Sequence, residues 1–570
     1  NYEYFYVSNT LSIIRLMNGL LSFSLPDMSG KKMTYSYLTL YKYNSETTQR
    51  TIEIHQNTSA FTENTVTWNT APSYNTDVVD YKVVNGTSDT AYIFDITESV
   101  REWVDGVSPN YGFTIKDKND VGALTRFYSS EHWLEAPVVE IGFIDSVGIK
   151  DYWTYNSQSA GEAGTGYISD YTGLMTWVRN DLSYESERGS FGLTMVYNVA
   201  NRNLNIGYGL GWQTNYNMKV VFDTIVGKYY MLDATGYKNY FYLEGYIHSS
   251  ESVDYPEALT SLIGDNEHGN CYESESGNGQ ILMVKYNSSN VITGIYVLST
   301  DFTLLCFTYI VGNAYYLQYI KSQLSSDYPY VVTITRDTTN PDRITLIMDN
   351  VSSTPGYGNY ISISYSLNRM SSAILYLLVN DTPIYTPLNK VTYSYTYLSY
   401  MSGYGMYSSS KYHDYNGDDI LSFDQTIRYT YDSNARMTNA YENYSSSTNY
   451  GNRIYYTYNS TSDQVSSISN YFFTSIFSTL SYSYGLKMTT IIDDIGNYII
   501  YKFDDYGHTI NLLDSQGTSQ SYVYLNIFKD MTDETGVIKH ADGSPNFDNN
   551  HKLAYSSDPH SYACRPLAKS

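Results

Sequence analysis

Between residues 427 and 525 one plan recurs: an alternating aromatic strand, an Asp or Asn, a two- or three-residue turn often holding Gly, then another alternating strand. The first unit reads Tyr429-Thr430-Tyr431-Asp432-Ser433-Asn434-Ala435-Arg436-Met437-Thr438, and looser versions follow at 456–459, 501–509 and 512–517. Alternation puts every second aromatic on one face of a strand. Asp or Asn with Gly supplies a tight reversal. Each unit is therefore expected to be a β-hairpin. With no helix between them, such hairpins bury their aromatic faces only by stacking on one another.

The plan resembles the YD repeats of the RHS family, whose fuller pattern is Tyr-x-Tyr-Asp-x-x-Gly-Arg. Ala435 stands where Gly is usual, and only the first unit carries the Arg, Arg436. Composition points the same way. The chain has 67 Tyr against 19 Phe and 6 Trp, and Tyr fills a β face while tolerating a wet edge. A net charge of −24 argues against a nucleic-acid partner, which needs Lys and Arg to neutralise phosphates. Charged residues are only 16% of the chain, and Ser, Thr, Asn and Tyr carry the solvation, as in a secreted protein. No run of 18 or more apolar residues is present to span a membrane. The chain begins at Asn1 rather than Met, which fits a fragment or a processed chain.

Residues 1–145 read as a separate all-β domain. Alternation is clean at 21–25, 33–41, 52–55 and 65–68. One short helix interrupts at 95–103, with Asp95 as cap, Glu98 at capping-box spacing, an apolar stripe of Ile96, Val100 and Trp103, and Gly106 at its end. Three runs, Glu63-Asn64-Thr65-Val66-Thr67-Trp68-Asn69, the helix with Asn110-Tyr111-Gly112-Phe113, and Phe127-Tyr128-Ser129-Ser130-Glu131 with Ala136-Pro137, together resemble the DNRLRE domain. That resemblance implies a jelly-roll-like β-sandwich of extracellular proteins, related to carbohydrate-binding modules. Residues 1–20 depart from the family's opening strands, which leaves the first strand in question.

Residues 146–245 are Gly- and Tyr-rich and resemble the segment leading into the repeats of RHS-type proteins. Gly207, Gly209 and Gly211 lack the spacing and following helix of a dinucleotide fingerprint, and are expected to let the chain bend or approach a neighbouring sheet. A second helix is expected at 254–264, with Asp254 as cap, Pro256 in the first turn, and Leu259, Leu262 and Ile263 on one face; 265–279 is expected to be a loop. Hairpin repeats are expected through 246–525, and a polar, poorly ordered tail at 526–570.

Little in the chain carries chemistry. The nine histidines show no ligand spacing, so no cofactor or structural metal is expected. The acidic cluster at 413–419 reads as a solvated turn, with a weak Ca²⁺ site at Asp414, Asp418 and Asp419 as the alternative. No nucleophile elbow is present, and no carboxylate pair can be singled out among 58 acidic residues. Cys271 and Cys306 are expected to be buried thiols, with a bridge between them as the lesser alternative. The core motif of toxin-packaging RHS proteins, Asp-Pro-x-Gly, is missing, because Asp558-Pro559 is followed by His560-Ser561.

The binding candidates are aromatics of the first domain, because sugar rings stack on flat aromatic faces. Trp68 and Trp103 are expected in the core. Trp133, with His132 and Arg126, is either rim packing or a ligand contact. The chain as a whole is expected to be an all-β, non-enzymatic secreted or cell-surface protein of bacterial type, attaching to polysaccharide or cell-wall glycan. Stacked hairpins would form an extended sheet or partial shell. The alternatives are a fragment of an RHS-type toxin-delivery shell and, third, a carbohydrate-active enzyme. A helical share above about a quarter is incompatible with the hairpin expectation.

Overall fold

The computed structural model describes residues 4–7, 18–26, 28, 31–43, 49–85, 89–118, 125–132, 134–150, 152–186, 189–224, 227–248, 255–274, 276, 278–322, 330–350, 358–379, 382–412, 424–444, 450–460, 462–472, 475–485, 487–504, 507–524 and 566–569. Helix makes up 6% and strand 60% of the chain, so the protein is all-β. It divides into two compact units, Asn1–Ile144 and Asp145–Ser570.

The first unit contains β1 (Tyr4–Val7), β2 (Gly19–Leu21), β3 (Lys31–Tyr41), β4 (Arg50–Gln56), β5 (Asp80–Val84) and β6 (Ala91–Asp95). After these come α1 (Thr97–Val104), β7 (Phe113–Asp117), β8 (Thr125–Tyr128) and β9 (Val138–Asp145). A four-stranded sheet, β2-β7-β4-β5, and a three-stranded sheet, β6-β3-β9, enclose one core of Leu38, Leu40, Phe94, Ile52, Ile54 and Phe113. The alternation in 33–41 and 52–55 is what aims these side chains inward. A first strand is present: β1 pairs antiparallel with β8, Tyr4 opposite Tyr128. The expected strand at 21–25 stops at Leu21.

Helix α1 buries the expected stripe, with Ile96 and Val100 fully buried and Trp103 nearly so. The Trp103 ring lies 5.0 Å from Phe113 and 5.8 Å from Phe23. Its cap differs from expectation. Ile96 occupies the N-cap without a side-chain bond, because Asp95 is the last residue of β6 and its carboxylate accepts the Thr97 N–H at 3.0 Å.

The second unit opens with β10 (Tyr155–Ser159), β11 (Thr165–Ser169), β12 (Met175–Ser186), β13 (Gly189–Asn198) and β14 (Trp212–Thr214), which form one five-stranded sheet in chain order. Then come β15 (Lys219–Asp223), β16 (Lys228–Leu232), β17 (Lys238–Ile247), α2 (Glu257–Thr260), β18 (His268–Ser274) and β19 (Ile281–Tyr286). They lead into β20 (Ile292–Leu298), β21 (Thr303–Val311), β22 (Ala314–Ser322), β23 (Tyr330–Arg336) and β24 (Ile344–Asn350). The series goes on through β25 (Gly358–Ser366), β26 (Arg369–Val379), β27 (Thr382–Leu398), β28 (Gly403–Tyr412), β29 (Asp424–Tyr431), β30 (Met437–Tyr444) and β31 (Tyr450–Tyr458). It ends with β32 (Val465–Phe472), β33 (Ser475–Tyr484), β34 (Met488–Asp493), β35 (Tyr498–Phe503), β36 (Thr509–Asp514), β37 (Ser519–Tyr524) and β38 (Pro566–Lys569).

Strands β15 to β38 form one sheet in which every strand pairs antiparallel with the next. The first strand also returns: β15 pairs with the start of β22, Val220 opposite Tyr315. Eight strands thus close into a hydrogen-bonded ring, and the end of β22 passes the sheet on to β23. The five-stranded sheet packs on the inner face of the later strands, so that Trp177, Tyr197 and Trp212 share a core with Tyr429, Ile454 and Tyr456.

Two local devices repeat along this sheet. One is the turn. The Oδ1 of Asp233, Asn287, Asp432, Asp493 and Asp514 accepts the N–H groups two and four residues on. In each case the residue three on is left-handed: Gly236, Asn290, Ala435, Gly496 and Gly517. The second device is a row of phenols. Tyr365, Tyr395, Tyr431, Tyr458 and Tyr484, on alternate strands β25 to β33, each donate to a backbone carbonyl of the preceding strand, at 2.6–2.9 Å.

Four further expectations meet the structure here. The segment 265–279 is not all loop, because β18 runs through it with Gly269, Cys271 and Ser274 buried. Helix α2 is a single turn preceded by Pro256; Leu259 and Ile263 are buried beside Cys271 and Cys306, and Asp254 lies outside the described residues. Cys271, Met283, Tyr296 and Cys306 stand in one row across β18 to β21. Three strand spacings put the two thiols roughly 14 Å apart, twice what a disulfide spans. Both are free and buried, and burial pushes Cys271 up to about 12 and Cys306 up to about 11. Gly207, Gly209 and Gly211 all have positive φ and approach Arg343, Met406 and Tyr197 closely.

Candidate functional site

The candidates expected from sequence fall at the end of β8. Arg126 and Tyr128 leave one face of that strand while Thr125 and Phe127 face the interior. His132 packs against Tyr128 with ring centres 4.2 Å apart and planes tilted by 39°, and pairs through Nδ1 with Glu135 at 2.8 Å. The Tyr128 hydroxyl donates to Asp89 at 2.7 Å, which with some burial pushes its pKa up to about 12. Tyr128 thus shares a strand face with Arg126 and contacts His132. Trp133 lies outside the described residues, as do Asp414, Asp418 and Asp419. Among the described residues no three His, Cys, Asp or Glu side chains are placed to hold a metal, and no helix is long and apolar enough to cross a membrane.

Trp68 is not in the core. It is 60% exposed, on the single 3₁₀ turn Trp68–Thr70 rather than on a strand. The turn is braced from both sides. Thr67 N donates to Thr70 Oγ1 at 2.8 Å, and Thr70 N to the Thr67 carbonyl at 3.0 Å. The flanking chain is tied by Ser73 N to Ser59 Oγ at 3.0 Å and by the Thr58–Ser73 hydroxyl contact at 2.8 Å. Asn69 and Pro72 punctuate the segment as a turn, a signal that outweighs the alternation of Val66 with Trp68. The result is a large flat ring held out to solvent by a pre-formed backbone.

A second surface of the same unit follows from register. Glu53 lies opposite Tyr81 on one side and Lys116 on the other, so these three share the outer face of the four-stranded sheet. Tyr81 is exposed and Glu53 buried. The Glu53 carboxylate lies 3.3 Å from Lys118 Nζ and 3.4 Å from His55 Nε2. His55 Nδ1 donates to the Asn75 carbonyl at 2.9 Å. Lys116 Nζ reaches Tyr74 Oη at 3.5 Å. A carboxylate, two ammonium groups and two phenol rings on one face can accept, donate and stack, the combination that fixes a polyhydroxylated ligand. Sequence reasoning missed this row, since it needs the pairing of three strands far apart in the chain.

No curated protein sequence shows significant similarity to the chain. Among solved structures, the N-terminal domain of effector protein SpvB from Salmonella typhimurium strain LT2 aligns at 12% identity over 47% of this chain and 98% of that one, with a TM-score of 0.23. The TcdB2–TccC3 crystal structure aligns at 10% identity over 83% of this chain, with a TM-score of 0.16. The chain spans about a third (32%) of that protein's length, and at such scores neither likeness supports a functional conclusion. The family comparison is local: residues 5–142, the first unit, match carbohydrate-binding module family 96.

Proposed function

We propose that the protein is a non-enzymatic attachment protein, secreted or held at the cell surface, and that its first unit binds glycan with Trp68 as the stacking platform. One observation carries this: an indole 60% exposed on a braced turn within a segment matching a carbohydrate-binding module. Sugar faces stack on such rings. A ring fixed before binding costs little ordering entropy on association. The Tyr81–Glu53–Lys116 row supplies hydrogen bonding on the same unit. In this reading the second unit is an RHS/YD-type array of hairpins serving as a scaffold. Support comes from the Asp432–Arg436 pair at 2.8 Å and from Ala435 holding φ +58° where the repeat pattern has Gly. Closure of β15–β22 into a ring favours a second reading, an RHS-type delivery shell.

The test is retention of the full chain on immobilised neutral and acidic polysaccharides. Trp68→Ala is expected to weaken binding at least tenfold, about 1.4 kcal/mol, with an unchanged thermal melt. Tyr81→Ala and His132→Ala locate the site independently. Wild-type affinity in Trp68→Ala with loss in His132→Ala would move the site to the end of β8. No retention of the folded wild type on any glycan would sink the attachment role and leave the shell reading.

A further inference from the structure

The turn between β11 and β12 joins the inner sheet to a run of later hairpins through only four residues. Thr489 Oγ1 donates to the Asp170 carbonyl at 2.5 Å, Gln464 Nε2 to the Thr172 carbonyl at 3.2 Å, and Val465 N to the Gly173 carbonyl at 2.9 Å. The Tyr171 ring meets Phe503 at 5.3 Å and Trp153 at 5.6 Å. Gly173 lies so close to the Tyr484 ring that a Cβ there would come within 2.6 Å of it. Five segments, from the β31–β32 connection to β35, thus meet one buried turn.

At the start of that turn Asp170 is 1% exposed, and its Oδ1 has no hydrogen-bond partner. It forms no ion pair among the described residues. The Thr154 hydroxyl and the Asn156 amide face its carboxyl. Among the described residues the titratable groups turned toward it are phenols, Tyr482 and Tyr484 on β33 and Tyr501 on β35. Beyond them stand the His508–Asp504 pair, at 2.6 Å, next to Thr509, whose Oγ1 lies 3.1 Å from Thr154 Oγ1. Lys150 lies 4.4 Å over the Trp153 ring. A carboxylate with an unpartnered oxygen is costly in such surroundings, whereas the neutral acid is tolerated.

We propose that this turn is a proton-dependent clasp: it holds β32–β35 against the inner sheet while Asp170 is protonated and loosens as the carboxyl ionises. Burial raises the Asp170 pKa to about 7, offset only in part by Thr154 and Asn156. Because the closed-state pKa is raised, the stabilisation is complete below the ordinary carboxylate pKa of about 4. It is lost progressively as pH rises toward 7 and changes no further above that.

Hydrogen exchange of the full chain, corrected for intrinsic rates, reads the clasp directly. Protection of the Asp170, Gly173 and Val465 amides is expected to fall up to tenfold per pH unit between about pH 4.5 and 7 and then level off. Amides of β4 and β7 in the first unit should stay flat. Asp170→Asn should abolish the slope and leave these amides better protected at pH 7 than in the wild type. Thr154→Val, which removes a hydroxyl that favours the ionised form, should move the levelling point to higher pH. An equal slope in Asp170→Asn, or the same slope in the first-unit amides, overturns the clasp. Should Asp170→Asn not fold, a wild-type profile that is flat, or unmoved by Thr154→Val, overturns it as well.

Discussion

Asp432 does three jobs with one carboxylate. Its Oδ1 accepts the Asn434 and Arg436 N–H groups, both at 2.9 Å, and its Oδ2 pairs with Arg436 Nε at 2.8 Å. Arg436 in turn donates to the Asn459 and Ser462 carbonyls of the next hairpin. The short side chain thus replaces a backbone acceptor inside the turn and positions the cation that ties two units together. Asp432→Ala should therefore cost about 2 kcal/mol in urea unfolding, the scale of hydrogen bonds to a charged group. Asp432→Asn keeps Oδ1 and should recover more than half of that loss. Two variants indistinguishable from wild type would show that the turn holds without its Asp. At Asp493 and Asp514 the same kind of bonding, from Asn497 and from Thr518 first of all, holds the carboxyl below its usual range. Their contribution is present above about pH 4 and fades as pH falls through the depressed value. That sign is opposite to the one at Asp170.

Among the elements, the row of phenols explains why Tyr so outnumbers Phe. Each of the five rings packs inward while its hydroxyl satisfies a carbonyl on the preceding strand, something Phe cannot do. Tyr431 carries a double load, donating to the Met406 carbonyl at 2.8 Å and accepting Trp212 Nε1 at 2.9 Å. Among the described residues the Tyr458 hydroxyl makes one hydrogen bond, to the Met437 carbonyl at 2.6 Å. Tyr431→Phe strands two buried groups and should cost about 2–3 kcal/mol, Tyr458→Phe about 1 kcal/mol; equal losses by chemical denaturation would refute the double role. Alternation and turn chemistry are local, so the hairpins, the 33–41 and 52–55 strands and the stripe of α1 could be read from sequence. Trp68 is legible only when Asn69 and Pro72, as turn residues, are weighed above the two-residue alternation of Val66 with Trp68. The strand at 268–274 was hidden by its Gly, Asn and Ser content, although Cys271 fills an apolar gap there. The Tyr81–Glu53–Lys116 row depends on which strands become neighbours, and no local pattern states that.

On the scale of the second unit, a sheet in which each strand pairs with the next behaves almost one-dimensionally, and such arrays unfold piecemeal unless something spans them. The inner sheet is that span. Arg179, on β12, is fully buried and sets Nε 2.5 Å and Nη2 2.7 Å from the two Asp181 oxygens, while Nη1 donates to Ser409 and Tyr429. Asp181 also accepts the Tyr393 hydroxyl at 2.6 Å. One pair thereby fastens β12 to β27, β28 and β29, more than 200 residues away in the chain. Removing one partner leaves a buried charge without compensation, whereas removing both does not. Arg179→Met should cost about 3–5 kcal/mol, and Arg179→Met with Asp181→Leu distinctly less. If the pair is also what makes the hairpins unfold together, the single variant should broaden or split the urea transition, lowering its apparent m-value. A single variant that loses stability with its m-value intact would mean that cooperativity resides in the apolar contacts of Trp177, Tyr197 and Trp212 instead. In that case the ion pair fixes only the register of β12 on the hairpins, and the double variant, apolar throughout, should be at least as cooperative as the wild type.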